Sequence, residues 1–128
     1  MQQQLLTKSL FDRLGGKPAV DAAVERFYDR LLKDERVKHF FNGVDIAAQR
    51  RKQKAFMSYA FGGLPNYPGK SIRQAHATLV KEKGLNDSHF DAVAENLKGT
   101  LEDLGVPANL IGEVLGIVGG TRNDVLNR

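Results

Sequence analysis

Nearly every apolar cluster in this chain of 128 residues recurs at intervals of three and four, and no stretch alternates as a strand would. That period admits helices and little else. Glycine signals at Gly15-Gly16, Asn42-Gly43, Gly62-Gly63, Gly84, Gly105 and Gly119-Gly120 stand at the ends of the periodic segments. Helices commonly stop at such positions. The pattern predicts an all-α fold with short connections, arranged as one domain over residues 1–128. Residues 1–8, with the polar run Gln2-Gln3-Gln4, read as a frayed extension.

Capping residues sharpen the boundaries. Ser9, with Asp12 three residues on, opens a short first helix. Pro18 suits the first turn of the second, where Val20, Val24, Phe27, Tyr28 and Leu31 share a face. Asp34 caps a turn ending in Phe40-Phe41, and Asp45 caps a helix from Ile46 to Phe61. A loop follows from Leu64 to Gly69. The next helix, Ser71 to Lys83, groups Ile72, Ala75, His76, Leu79 and Val80. Ser88 is expected to cap a helix with the stripe Phe90, Val93, Ala94, Leu97, Leu101 and Leu104. Pro107 opens the last helix, with Leu110, Ile111, Val114, Leu115 and Val118 inward, before a polar tail.

Hydrophobic residues make up 41% of the chain, which suits one buried core. No apolar run approaches the roughly 20 residues that span a bilayer. With no membrane segment and no secretory signal, a cytoplasmic location is expected. There are no cysteines, so disulfides and thiolate metal sites are excluded. The net charge of +4 suits an anionic partner without choosing one.

Few residues remain that carry chemistry. His76 sits mid-helix among apolar neighbours, where an imidazole either ligates a metal through one nitrogen or is a hydrogen-bonded core histidine. His39 and His89, near helix ends, read as capping or solvent-facing residues. Gln49, Lys52, Gln53 and Phe56 share one helix face, so a polar stripe runs towards the side that Phe56 marks as buried. Either a polar ligand satisfies those groups, or Lys52 snorkels to solvent and the amides lie at an edge. Tyr28 falls on an apolar face, and its phenol needs a partner, structural or otherwise. Arg50, Arg51, Lys52 and Lys54 form a basic run that is either a solvated face or, in a cofactor-free module, a phosphate-binding one through Arg50, Arg51 and Lys54. The glycine pairs form no phosphate-binding loop.

Taken in order, LFDRLGG (10–16), VERFYDRLL (24–32), HFF (39–41), QRRKQKAFMSYAFGG (49–63), RQAHATLV (73–80), HFDAVAENL (89–97) and NDVLNR (123–128) resemble the group I truncated haemoglobins of cyanobacteria and green algae. The likeness runs from about Ser9 to Arg128. It implies a truncated globin, a two-over-two helical sandwich around haem b held without covalent links. By that resemblance His76 is the proximal iron ligand and Phe41 packs on the haem face. Tyr28 donates to bound oxygen, and Gln49 and Gln53 complete the distal network. Phe56, Ile72, Leu79, Phe90, Val93 and Leu97 line the pocket or its ligand path, with Tyr67 and Arg73 near the haem rim.

Two departures from the family pattern stand out. Lys52 occupies a position where many cyanobacterial relatives carry a histidine that takes the sixth iron site. In some algal relatives a lysine does so, which makes Lys52 a candidate reversible distal ligand. The last helix lacks the histidine that bonds a haem vinyl in some relatives, since none follows His89. The resemblance implies binding of oxygen, nitric oxide and carbon monoxide by a monomer without nucleic-acid or membrane partners. The expected activity is nitric oxide dioxygenation with an unidentified reductase. The alternatives are sensing, storage or electron transfer without turnover, or reduction of nitrogen oxides.

Overall fold

The computed structural model describes residues 8–63 and 71–128. Among these are seven α-helices and one 3-10 turn. They are α1 (Leu10–Leu14), α2 (Gly16–Leu31), the turn Lys38–Phe41, α3 (Ile46–Ala60), α4 (Ile72–Lys83), α5 (Asp87–Asp103), α6 (Ala108–Gly119) and α7 (Arg122–Val125). The expected loop Leu64–Gly69, with Tyr67, lies outside the described residues.

The expected caps form at α1 and α3. Ser9 Oγ accepts from the Asp12 amide at 3.1 Å, and Asp45 Oδ1 accepts from the Ala48 amide at 3.1 Å. At α4, Ser71 Oγ accepts from the Gln74 amide while the Gln74 side chain accepts from the Ser71 amide, a reciprocal capping box. Two expectations change. Asn86, rather than Ser88, caps α5. Its side-chain oxygen accepts from the Ser88 amide at 2.9 Å and the Ser88 hydroxyl at 2.7 Å, and His89 Nδ1 accepts from the Asn86 amide. The expected polar tail is instead the single-turn helix α7, followed by a buried Leu126. One turn is too short to show a period, so only the buried leucine betrays it.

Helices α2 and α3 pack together, as do α5 and α6, and α2 packs on α5 to join the two pairs. This is the two-over-two arrangement. Val24 and Val114 are fully enclosed at its centre, with Val20, Phe27, Leu97 and Leu101 around them. Helix α4 lies at the edge of this core and touches it through Leu79. No residue of α4 is fully buried, and its principal helix contact is the short α7.

Two glycines fix how α1 meets its neighbours. Gly15 ends α1 and begins α2 at φ 117°, a left-handed conformation that favours glycine. At Gly63 a Cβ would fall 2.6 Å from Phe11 Cγ. The Phe11 amide donates to the Phe61 carbonyl at 2.8 Å, which fixes the Phe11 backbone beside Gly63. Gly63→Ala is therefore expected to lower stability by about 1–3 kcal/mol, the usual cost of overpacking. Urea unfolding would measure it, and an unchanged midpoint would show that Phe11 yields freely.

Candidate functional site

Helix α4 presents a half-buried row of Ile72, His76, Leu79 and Val80, while Ala75 is exposed. Apolar residues at helical spacing normally end up inside a core, yet here no protein segment among the described residues covers them fully. Within this row, His76 Nδ1 lies 2.8 Å from the Ile72 carbonyl oxygen. A carbonyl only accepts, so Nδ1 carries the hydrogen in the neutral ring. The Nε2 lone pair is thereby available for a metal. Among the described residues no three His, Asp or Glu side chains group to hold an ion.

Tyr28 is buried on α2, edge-on to Phe27 and to Phe41, each with ring centroids 5.7 Å away. Burial pushes its hydroxyl pKa up to about 12, against the opposing effects of a hydrogen bond with Gln49 and the Arg50 charge. The phenol therefore stays a neutral donor at physiological pH. Phe41 is half-buried at the end of its 3-10 turn. Asp34 sets that turn by accepting from the Arg36 amide at 2.9 Å and from Asn96 on α5 at 2.8 Å. The Arg36 guanidinium, followed by the Asn96 amide, holds the Asp34 carboxyl well below the ordinary carboxylate range.

Gln49, Gln53 and Phe56 on α3 are half-buried, and Lys52 is exposed. Its basic neighbours are committed elsewhere. Arg50 donates to Glu25 at 2.6 Å and Asp29 at 3.0 Å, with its guanidinium 5.7 Å from the Tyr28 ring centroid. Lys54 donates to Glu25 at 2.6 Å. The basic run is thus divided, with Arg50 and Lys54 fastening α3 to α2 and Arg51 and Lys52 exposed. These ion pairs were missed in the sequence, although both halves share one spacing. Glu25 and Asp29 are four apart on α2, as Arg50 and Lys54 are on α3.

The other candidates are distributed more widely. Phe90 and Leu97 are buried and Val93 is half-buried, all on α5. The Arg122 guanidinium lies over the Phe90 ring, 4.4 Å from its centroid. Leu97 also lines an apolar cavity of about 260 Å³ with Ala23, Met57, Phe61, Leu101 and Val114. Arg73 is exposed at the start of α4 and donates to Asp124 at 2.9 Å. His39 is exposed, its ring centroid 5.9 Å from that of His89.

A phenol enclosed by aromatic rings, an amide beside it, and a lone histidine on a thinly covered apolar helix match a known pattern across the whole chain. The bacterial-like globin family matches residues 9–127. A group 1 truncated hemoglobin from Synechocystis is 53% identical over 94% of this chain and 98% of its own length. The chain belongs to the bacterial-like globins, as a group 1 truncated haemoglobin. Solved structures agree. The 2/2 hemoglobin from Synechococcus, in the cyanomet state with covalently attached heme, superposes with a TM-score of 0.93 at 56% identity. That match covers 94% of this globin and all of the other chain. Truncated hemoglobin from Tetrahymena pyriformis in its Fe(III) form gives 0.85 at 41% identity, covering 93% and 98% of the two chains.

The side chains of this globin fit a flat, apolar, metal-bearing group. Nε2 of His76 is chemically free to ligate, and Ile72, Leu79 and Val80 offer apolar surface around it. No helix among the described residues is long and apolar enough to cross a membrane.

Proposed function

We propose that this globin binds haem b through His76 Nε2 and uses it to take up oxygen and nitric oxide. The observation that carries this reading is the α4 surface, where a histidine with a fixed tautomer sits in an apolar row that no segment among the described residues fully covers. Haem would supply a redox-active iron able to bind a diatomic gas. The chain supplies everything else. Ile72 orients the imidazole, and Phe41, Phe56, Ile72, Leu79, Phe90, Val93 and Leu97 exclude water and enclose the ring system. Arg73, exposed at the start of α4, would border its polar edge. Tyr28 donates its hydroxyl proton in a hydrogen bond to partial negative charge on the ligand, while Gln49 and Gln53 orient and supplement that donor. Without cysteine, and with no histidine after His89, the group is held non-covalently.

The reaction proposed is nitric oxide dioxygenation. Nitric oxide, oxygen and one electron give nitrate, and a separate reductase delivers the electron. Stoichiometric haemin uptake with a shifted Soret band tests the cofactor. Nitrate formation from nitric oxide and oxygen, sustained by a reductase, tests the activity. Haem uptake without turnover would favour sensing, storage or electron transfer.

Lys52 is assigned as a reversible sixth ligand in the ferric state. It is the basic residue on the amide-bearing face of α3, and it is exposed and without an ion pair among the described residues, unlike Arg50 and Lys54. Its amine must lose a proton to bind, and incoming ligands must displace it, which lowers their apparent affinity. Lys52→Ala is expected to convert a low-spin ferric spectrum into a high-spin one and to raise cyanide affinity. Identical spectra in the two proteins would remove Lys52 from the iron.

A further inference from the structure

We infer that the segment 122–128 is a strap that positions the His76 helix, a role resting on the haem-binding reading above. Helix α4 has no fully buried residue and touches the core through the half-buried Leu79, so packing alone holds it weakly. Polar contacts with this segment do. The Arg73 guanidinium donates to Asp124 at 2.9 Å and to the Arg128 carbonyl at 3.4 Å. In return, the Asn127 amide donates to the Arg73 carbonyl at 3.1 Å and to the Asp124 carbonyl at 3.4 Å.

The other side of the strap is fastened to α5. Arg128 donates through two nitrogens to Asp87, at 2.7 and 3.0 Å. Arg122 donates to Asp87 at 3.0 Å and to Asp91 at 2.7 Å, and stacks over Phe90. Leu126 is buried and anchors the middle. The segment thus bridges the first turn of α4 and the first turns of α5, one turn before His76 and next to Phe90.

A backbone feature points the same way. Asn127 is the non-glycine residue among those described with a left-handed backbone, at φ 58°. Asparagine tolerates that conformation better than most residues, and such a geometry persists where the surroundings over-determine it. Here the two hydrogen bonds of its amide side chain supply that constraint. They place one residue in direct contact with both α4 and α7. Each ion pair is half-exposed and weak alone. Their joint action matters on a helix with no fully buried residue, which meets the core through the half-buried Leu79. The strap holds α4 at one position before haem arrives, so less ordering remains to be done on binding.

The test uses the full chain and two surface variants, Asp124→Asn and Asn127→Gly. Glycine keeps the left-handed backbone and removes only the amide. Haem transfer from the ferric protein to an excess of scavenging apoglobin is expected to speed about fivefold in each variant, in line with the loss of one polar tether. The wild-type rate should rise with added salt, and this dependence should shrink in Asp124→Asn. In the haem-free chains, amide exchange in α4 should accelerate while exchange in α2 and α5 stays constant. A wild-type chain that takes up no haem would defeat the haem-binding reading itself. Normal haem uptake, with unchanged haem loss and unchanged α4 exchange in both variants, would overturn the strap alone.

Discussion

His76→Gly is expected to leave a folded chain that holds haem more than about 100-fold more weakly, beyond the roughly 10- to 100-fold cost of losing a group that only hydrogen-bonds a metal ligand. On the proposed reading the variant loses the direct bond to iron, and with it the only imidazole in the apolar row of α4. The fold should tolerate the change. His76 is only half-buried, so its removal opens no closed cavity, and glycine inside a helix costs about 1 kcal/mol. Haemin titration followed at the Soret band measures the loss. Added imidazole should restore the wild-type spectrum in part, because the apolar surface beside the vacated position remains. Tight haem binding by the variant would mean that another residue ligates the iron.

Tyr28→Phe is expected to speed oxygen dissociation on the order of 10- to 100-fold, since a hydrogen bond to a charged partner is worth about 1.5–3 kcal/mol. The ring should keep its place between Phe27 and Phe41, so the loss isolates the hydroxyl. Flash photolysis or stopped-flow mixing gives the rate, and an unchanged rate would remove Tyr28 from the ligand.

The same variant tests the buried phenol by pH. In the folded chain the hydroxyl holds its proton up to about 12, whereas an unfolded tyrosine releases it near 10. Above pH 10 the unfolded state therefore binds fewer protons, and stability falls as pH rises. This contribution is full below pH 10 and is lost towards pH 12, by roughly 3 kcal/mol in all. Urea unfolding between pH 9 and 12 should show that decline in the wild type and a smaller one in Tyr28→Phe.

The features legible in the sequence are those set within a few residues. The helical period placed α2 to α6, and Ser9, Asp45 and the glycine pairs marked their ends, because caps and turns are satisfied by near neighbours. Even so, local chemistry misled at α5. Asn86 and Ser88 are both good caps, and which one acts depends on where the preceding loop enters. The apolar row around His76 was equally plain, as was the burial of Tyr28. The sequence could not say that the row would be only half-buried among the described residues, since periodicity reports which face is apolar and not what meets it.

Tertiary structure alone decided the long-range pairings. Arg50 and Lys54 look like Arg51 and Lys52 in sequence, yet only the packing of α3 on α2 brings the first two to Glu25 and Asp29. Arg73 and Asp124 are 51 residues apart and meet because α7 folds back onto α4. The sequence by itself determined helices α1 to α6, the caps at Ser9 and Asp45, and a histidine on the apolar face of α4, through interactions that act over one or two turns. The tertiary structure decided which charges are engaged and what holds α4 in place, because those contacts exist only once distant helices share a surface.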